Sequence, residues 1–303
     1  MSTAKPPPLD PPVDGLPLAE AGKPGWWTVQ LRLGGREVRV HLADPPEGDL
    51  SRLRESLRSG RYLRPAVIED AEYRSLCFGL RYTQSQMSLR DPQELVLTYL
   101  RKMLCFRLLK PQPAHIVMIG LGGGSLVKYC HRELPKTRIT ALEIDPAVIQ
   151  LSPLFELPEG SARWSLRCVD AVDHFRGQGE PADVVIADGC DERGIAPALC
   201  DEAFFASVHD RLRPGGVLVV NLVGALGRSA AVLGALRRAF SGQVAVLKVE
   251  VGGNRIALAQ REGDWPPRAA RLNKRAAMLY QGDEFDFPAW ADEIERQAHR
   301  GRR

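Results

Sequence analysis

The chain has 303 residues, 44% hydrophobic and 26% charged, a balance that supports a sizeable buried core and excludes a disordered chain. Its net charge of +4 comes from basic and acidic residues interspersed without a long Lys/Arg run, so no nucleic-acid partner is expected. Six cysteines with no CxxC pair and six dispersed histidines point to reduced thiols in a cytoplasmic protein and to no metal site.

Residues 1–24 carry Pro6, Pro7, Pro8, Pro11, Pro12, Pro17 and Pro24 and few large apolar groups, which predicts an extended, disordered tail. They contain no signal-peptide core, and no apolar run is long enough to span a bilayer, so no membrane partner is expected. Residues 25–91 read as a small β-rich domain. Alternation from Trp26 to Leu42, broken at Gly34-Gly35, predicts a hairpin. A short helix with Leu50, Leu53 and Leu57 on one face follows. A period of two then runs from Tyr73 to Tyr82, with a second strand from Gln84 to Leu89. Asp91-Pro92-Gln93-Glu94 is a strong helix start, predicting a largely buried helix from Pro92 to Leu109.

Residues 92–262 alternate strand and helix. The apolar run Ile116 to Ile119 breaks into Gly120, Gly122, Gly123 and Gly124, a helix follows to Leu134-Pro135, and a strand from Arg138 to Leu142 ends at Glu143. This is a βαβ unit with a glycine turn at its first junction. Further strands run from Trp164 to Val169, Asp183 to Ala187 and Val217 to Leu222, ending in Asp170, Asp188 and the next loop. Two last strands, Val244 to Glu250 and Arg255 to Gln260, are joined so closely at Gly252-Gly253 that they must be antiparallel. The fold class is therefore α/β: a Rossmann-like, methyltransferase-type sheet with its last strand antiparallel, plus the β-rich N-terminal domain. Residues 263–303 read as a helical extension.

A glycine turn lets backbone approach a ligand closely, and an acid at the tip of the second strand can accept both hydroxyls of a ribose. The G-x-G-x-x-G pattern is imperfect, since Ser125 stands at its third glycine. Glu143, Asp170 and Asp188 each follow a strand directly and should converge at the carboxyl edge of the sheet, with Asp191 and Glu192 extending the loop after Asp188, although such acids also cap helices. Clustered carboxylates repel unless a cation sits among them, so the expected ligand is cationic. A sulfonium nucleoside with an amine co-substrate satisfies this; a phosphate does not.

The series IGLGGGS, ALEIDPAVI, VDAVDHF, DVVIADGCDERG and LRPGGVLVVNL resembles the spermidine synthase family, the polyamine aminopropyltransferases, over Tyr73 to Gln260. The resemblance implies a transferase that moves an aminopropyl group from decarboxylated S-adenosylmethionine to a small amine, and a homodimer. It implies that Gly120, Gly122, Gly123, Gly124 and Ser125 lie beneath the donor, Glu143 with Ile144 at the ribose, and Asp170 with Ala171 at the adenine. Asp188 matches the catalytic acid that holds and deprotonates the attacking amine, Asp191 an acid that anchors the polyamine, and Tyr99 and Gln84 fall on the acceptor side. Ser125 stands where the family has an acid for the donor's amino group. That replacement leaves two alternatives open: methyl transfer from intact S-adenosylmethionine, and a non-catalytic adenosyl-binding protein.

Overall fold

A computed structural model describes residues 26–33, 35–43, 49–80, 82–191, 194–223, 226–280 and 285–300. The proline-rich segment expected to be a disordered tail lies outside the described residues. Strands β1 (Trp27–Leu33) and β2 (Arg36–Leu42) form the hairpin, with Val29 and Val40 paired and both buried. Helix α1 (Leu50–Arg58) starts at Asp49, whose side chain accepts from the Ser51 and Arg52 amides, and buries Leu53 and Leu57. Strands β3 (Pro65–Glu69), β4 (Tyr73–Phe78) and β5 (Tyr82–Ser88) complete a five-stranded antiparallel sheet in sequential order.

Two local expectations differ from the structure. The alternating pattern continues from Tyr73 to Tyr82, yet the chain reverses at Gly79. That residue has φ +63°, and a Cβ there would lie 2.7 Å from the Tyr62 carbonyl. A left-handed glycine pressed on the loop that leads into β3 makes a turn that periodicity does not register. The single helix expected from Pro92 is instead a turn at Asp91–Glu94, an irregular step through Leu95 to the extended Leu97, and then α2 (Thr98–Met103) and α3 (Phe106–Leu109). Leu95 is 1% exposed, and its carbonyl takes the Arg101 Nε at 2.6 Å in place of a helical amide. Burial of Leu95 outweighs the favourable helix-start residues, because cap preferences are worth only about 1 kcal/mol.

The second sheet has seven strands in the order β13-β14-β12-β9-β6-β7-β8. In chain order these and their helices are β6 (His115–Ile119), α4 (Ser125–Glu133), β7 (Arg138–Glu143), α5 (Pro146–Leu151), β8 (Trp164–Cys168), α6 (Ala171–Arg176) and β9 (Ala182–Ala187). A two-stranded ribbon follows, β10 (Cys190–Asp191) with β11 (Gly194–Ile195). Then come α7 (Glu202–Arg211), β12 (Leu212–Leu222), α8 (Leu226–Ala239), β13 (Val244–Lys248), β14 (Arg255–Gln260), α9 (Ala269–Leu279) and α10 (Phe287–Arg300). Strand β14 runs antiparallel to β13, as expected from the short connection, and also to β12, while the β12-β9-β6-β7-β8 pairings are parallel.

Both faces of the central strands are covered, which explains their continuous apolar runs. Ile116 and Met118 join one core with α4, α9 and α10, while Val117 and Ile119 join the opposite core with α6, α7 and α8. The C-terminal helices thus close one face of the sheet. Phe287 and Ile294, each at most 1% exposed, are part of that core.

Candidate active site

The carboxyl ends of β6, β7, β8, β9 and β12 open into a cavity of about 620 Å³, roofed by β5 and α2. Its volume is that of a nucleoside-sized ligand site. Gly120 and Gly122, at φ +86° and +54°, line it directly together with Leu121 and Ser125. Gly123 and Gly124 do not. A Cβ on Gly123 would lie 2.8 Å from Phe155 and from Ser85 Oγ, and one on Gly124 would overlap the Leu157 side chain. A side chain at either position would meet the protein itself, so these two glycines seat the turn closely against Phe155, Ser85 and Leu157.

Glu143, at the tip of β7, is 8% exposed. Its Oε2 accepts from the Leu121 amide at 2.9 Å and its Oε1 from the Asp145 amide at 3.0 Å, which ties the glycine turn to the next strand. Burial pushes its carboxyl above the usual range against these amide donors. Each oxygen keeps a further lone pair for a ligand hydroxyl. Ile144 beside it is a large apolar side chain left 64% exposed on the cavity wall. Asp170 caps α6 through the Val172 amide at 2.7 Å, and Asp145 caps α5 through the Ala147 amide at 2.8 Å. The capping role of strand-end acids is therefore real here, and the same two carboxylates also line the cavity with Ala171.

Asp188 is the most constrained of the acids. Its backbone amide continues the β9–β6 pairing to the Ile119 carbonyl at 3.0 Å, and Gly120 packs on its carbonyl so closely that a Cβ would sit at 2.8 Å. The side chain accepts from Tyr99 Oη at 3.1 Å and from Asn221 Nδ2 at 2.7 Å. Asn221 Oδ1 in turn accepts from Asn254 Nδ2 at 2.9 Å. Burial pushes the Asp188 carboxyl up to about 6, and the two donors hold it back from rising further.

Of the residues expected at the site, Gln84, Tyr99, Gly120, Gly122, Ser125, Glu143, Ile144, Asp170, Ala171 and Asp188 come together around this cavity. Gln84 Nε2 is buried there with no hydrogen-bond acceptor among the described residues. Asp191 lies in β10, but its side chain, like Glu192 as a whole, lies outside the described residues. Asn221 and Asn254 received no role from the sequence. Asn221 stands in the LRPGGVLVVNL strand, and a polar residue amid that apolar run was the available signal. Lys102 is a second omission. It is 3% exposed and paired at 3.0 Å with both Glu250 and Glu293, and Glu293 also accepts from the Lys248 amide at 2.9 Å. This network fastens the loop carrying Val251, Gly252 and Asn254 to α2 and α10.

The described lining holds four carboxylates, Glu143, Asp145, Asp170 and Asp188, and no lysine, arginine or histidine. Such a surface attracts cations and repels phosphates.

Residues 103–224 match the model of the spermine/spermidine synthase domain. A probable spermidine synthase from Corynebacterium glutamicum has a similar fold, with a TM-score of 0.61 at 22% identity over 77% of this chain and 91% of that one. A human eEF1A lysine and N-terminal methyltransferase is 31% identical over 161 residues, 49% of this chain and 23% of that protein. The polyamine aminopropyltransferase of Neisseria meningitidis is 34% identical over 237 residues, 75% of this chain and 90% of that enzyme. On identity of that extent, the chain belongs to the polyamine aminopropyltransferase family.

Proposed function

We propose that the protein transfers an aminopropyl group from decarboxylated S-adenosylmethionine to an amine acceptor. The observation that carries this reading is the cavity's charge, four carboxylates without a described basic residue, which suits a sulfonium donor and an ammonium acceptor together. Glu143, with Ile144 beside it, holds the ribose hydroxyls, and Asp170, with Ala171, faces the adenine and its amino group. Tyr99, Gln84 and Asp191 belong to the acceptor side, and Gly120 and Gly122 give the donor's chain room to pass.

A protonated amine has no lone pair for attack on carbon. Asp188, with its carboxyl at about 6, takes that proton, and the freed nitrogen forms the C–N bond while the C–S bond breaks. The electron pair of the broken bond neutralises the sulfonium, so methylthioadenosine departs without an acid. Tyr99 and Asn221 keep the Asp188 oxygens aimed at the nitrogen, and Asn254 orients Asn221.

The test is methylthioadenosine release from decarboxylated donor with a panel of di- and polyamines. Release that requires both donor and amine is the expected result, and its absence with every amine overturns the reading. Ser125 favours a second outcome, because a neutral residue 6% exposed in the cavity wall removes the charge that would repel a donor carboxylate. Methylated amine formed from intact S-adenosylmethionine would select that alternative.

Since Asp188 acts when ionised, kcat/KM should rise with pH through about 6 rather than through the ordinary aspartate range. Asn221→Ala removes a donor that favours the ionised form, so the rising limb should move to higher pH. A pH–rate profile of the two proteins checks both statements; an unmoved limb separates Asn221 from Asp188.

We also propose a homodimer. Strand β1 stands at the edge of the five-stranded sheet, a position from which a sheet can be continued by a second copy of the chain. Light scattering should give twice the chain mass, and a monomer refutes this. Buried free thiols at Cys77, Cys105 and Cys130 support residence in the reducing cytoplasm.

A further inference from the structure

A second cavity, of about 710 Å³, lies at the opposite edge of the same sheet. It is bounded by Pro111 to Ala114, which lead into β6, by Glu133 to Thr137, which lead into β7, and by α9. The five-residue strand β6 separates it from the glycine turn by about 16 Å. Neither the transfer chemistry nor the donor uses it.

Its charge is the reverse of the first cavity's. Arg107, Lys136, Arg271, Lys274 and Arg275 line it, against one described carboxylate, Glu133. Glu133 is held by Arg132 at 2.7 Å, and Arg271 has the exposed Asp264 at 3.6 Å. Arg275 donates to the Leu108 and Leu109 carbonyls at 2.7 and 2.8 Å, fastening α9 to the end of α3. Arg107 is the informative residue. It is 8% exposed, donates through Nη1 to Tyr129 Oη at 2.8 Å, and its Nε has no acceptor among the described residues. None of the described carboxylates pairs with it. A buried guanidinium without a counter-charge is costly, and a ligand anion removes that cost.

The remaining wall carries Gln112 and Thr137 but is otherwise apolar, with Pro111, Pro113, Pro135, and Met278, which is 76% exposed. A bare phosphate would leave most of this volume unfilled. We infer that the cavity between α9 and the amino edge of the sheet binds a small organic phosphate of nucleotide size, its phosphates on Arg107, Lys136, Arg271 and Lys274 and its body against Met278 and the prolines. Guanidinium forks and ammonium groups together are the usual recognition set for phosphates.

ATP is the probe, titrated calorimetrically into the full chain at about 0.15 M salt, where surface charge is screened. Saturable binding is expected, weakened about tenfold in Lys136→Ala/Lys274→Ala through lost charge-assisted contacts. It should be unchanged in Asp170→Asn, which alters the adenosyl cavity, and in Arg32→Ala/Arg36→Ala, which removes equal charge from the distant sheet. Absence of binding, equal binding in the Lys136/Lys274 variant, or a comparable loss in Asp170→Asn or Arg32→Ala/Arg36→Ala would each overturn the assignment. None of these readouts depends on aminopropyl transfer.

Discussion

Asp188→Asn should lower kcat by about a thousandfold while leaving the dissociation constant for methylthioadenosine within a few-fold of the parent. The loss is that of a general base. The amide accepts no proton from the amine, although its oxygen can keep the Asn221 donor and its NH₂ group can donate to the Tyr99 hydroxyl, which turns to accept. Donor binding is retained because the glycine turn and Glu143 are untouched. The variant should not owe its inactivity to unfolding, and the sign of the linkage says why. The folded Asp188 carboxyl titrates at about 6, above its unfolded value of 3.8, so the fold holds a proton the unfolded chain has released. Stability from this group is present below the unfolded value and is lost as pH rises to about 6, a cost of roughly 3 kcal/mol at neutral pH. Asparagine carries no such cost, so thermal unfolding at pH 8 should be no earlier than in the parent. Activity near the parent's would remove Asp188 from the chemistry.

Glu143→Gln should weaken methylthioadenosine about a hundredfold and reduce stability by about 1–3 kcal/mol. Both effects follow from one geometry. The two carboxylate oxygens receive the Leu121 and Asp145 amides, and an amide side chain offers one oxygen for those two donors. One buried N–H is left facing an NH₂ group, and the turn that carries Gly120 and Gly122 loses its anchor. Calorimetry with methylthioadenosine and urea unfolding of the same preparations measure the two quantities. Unchanged affinity would move the ribose away from Glu143.

The βαβ unit and the acids at strand tips were legible in the sequence because they are local. A β-branched run, a glycine break and an acid directly after a strand each express a preference within a few residues, and parallel sheets place all strand tips on one edge. Gly120, Glu143, Asp170 and Asp188 were found in this way. Locality also set the errors. The alternation through Gly79 and the helix signals at Pro92 were genuine preferences, overridden by the Tyr62 carbonyl and by burial of Leu95.

What the sequence by itself determined was the fold class, the glycine turn and a convergence of carboxylates that calls for a cationic ligand. Tertiary structure decided how those carboxylates are used. Tyr99 reaches Asp188 across 89 residues, Asn221 across 33, and Asn254 joins through a further loop; burial raises the Asp188 carboxyl to about 6, and the Asn221 and Tyr99 donors keep it from rising further. Packing likewise gave Gly123 and Gly124 to Phe155 and Leu157 rather than to the cavity, and set Lys102 among carboxylates from two distant elements. No local pattern encodes such pairings, because the energy that selects them comes from burying groups far apart in the chain against one another.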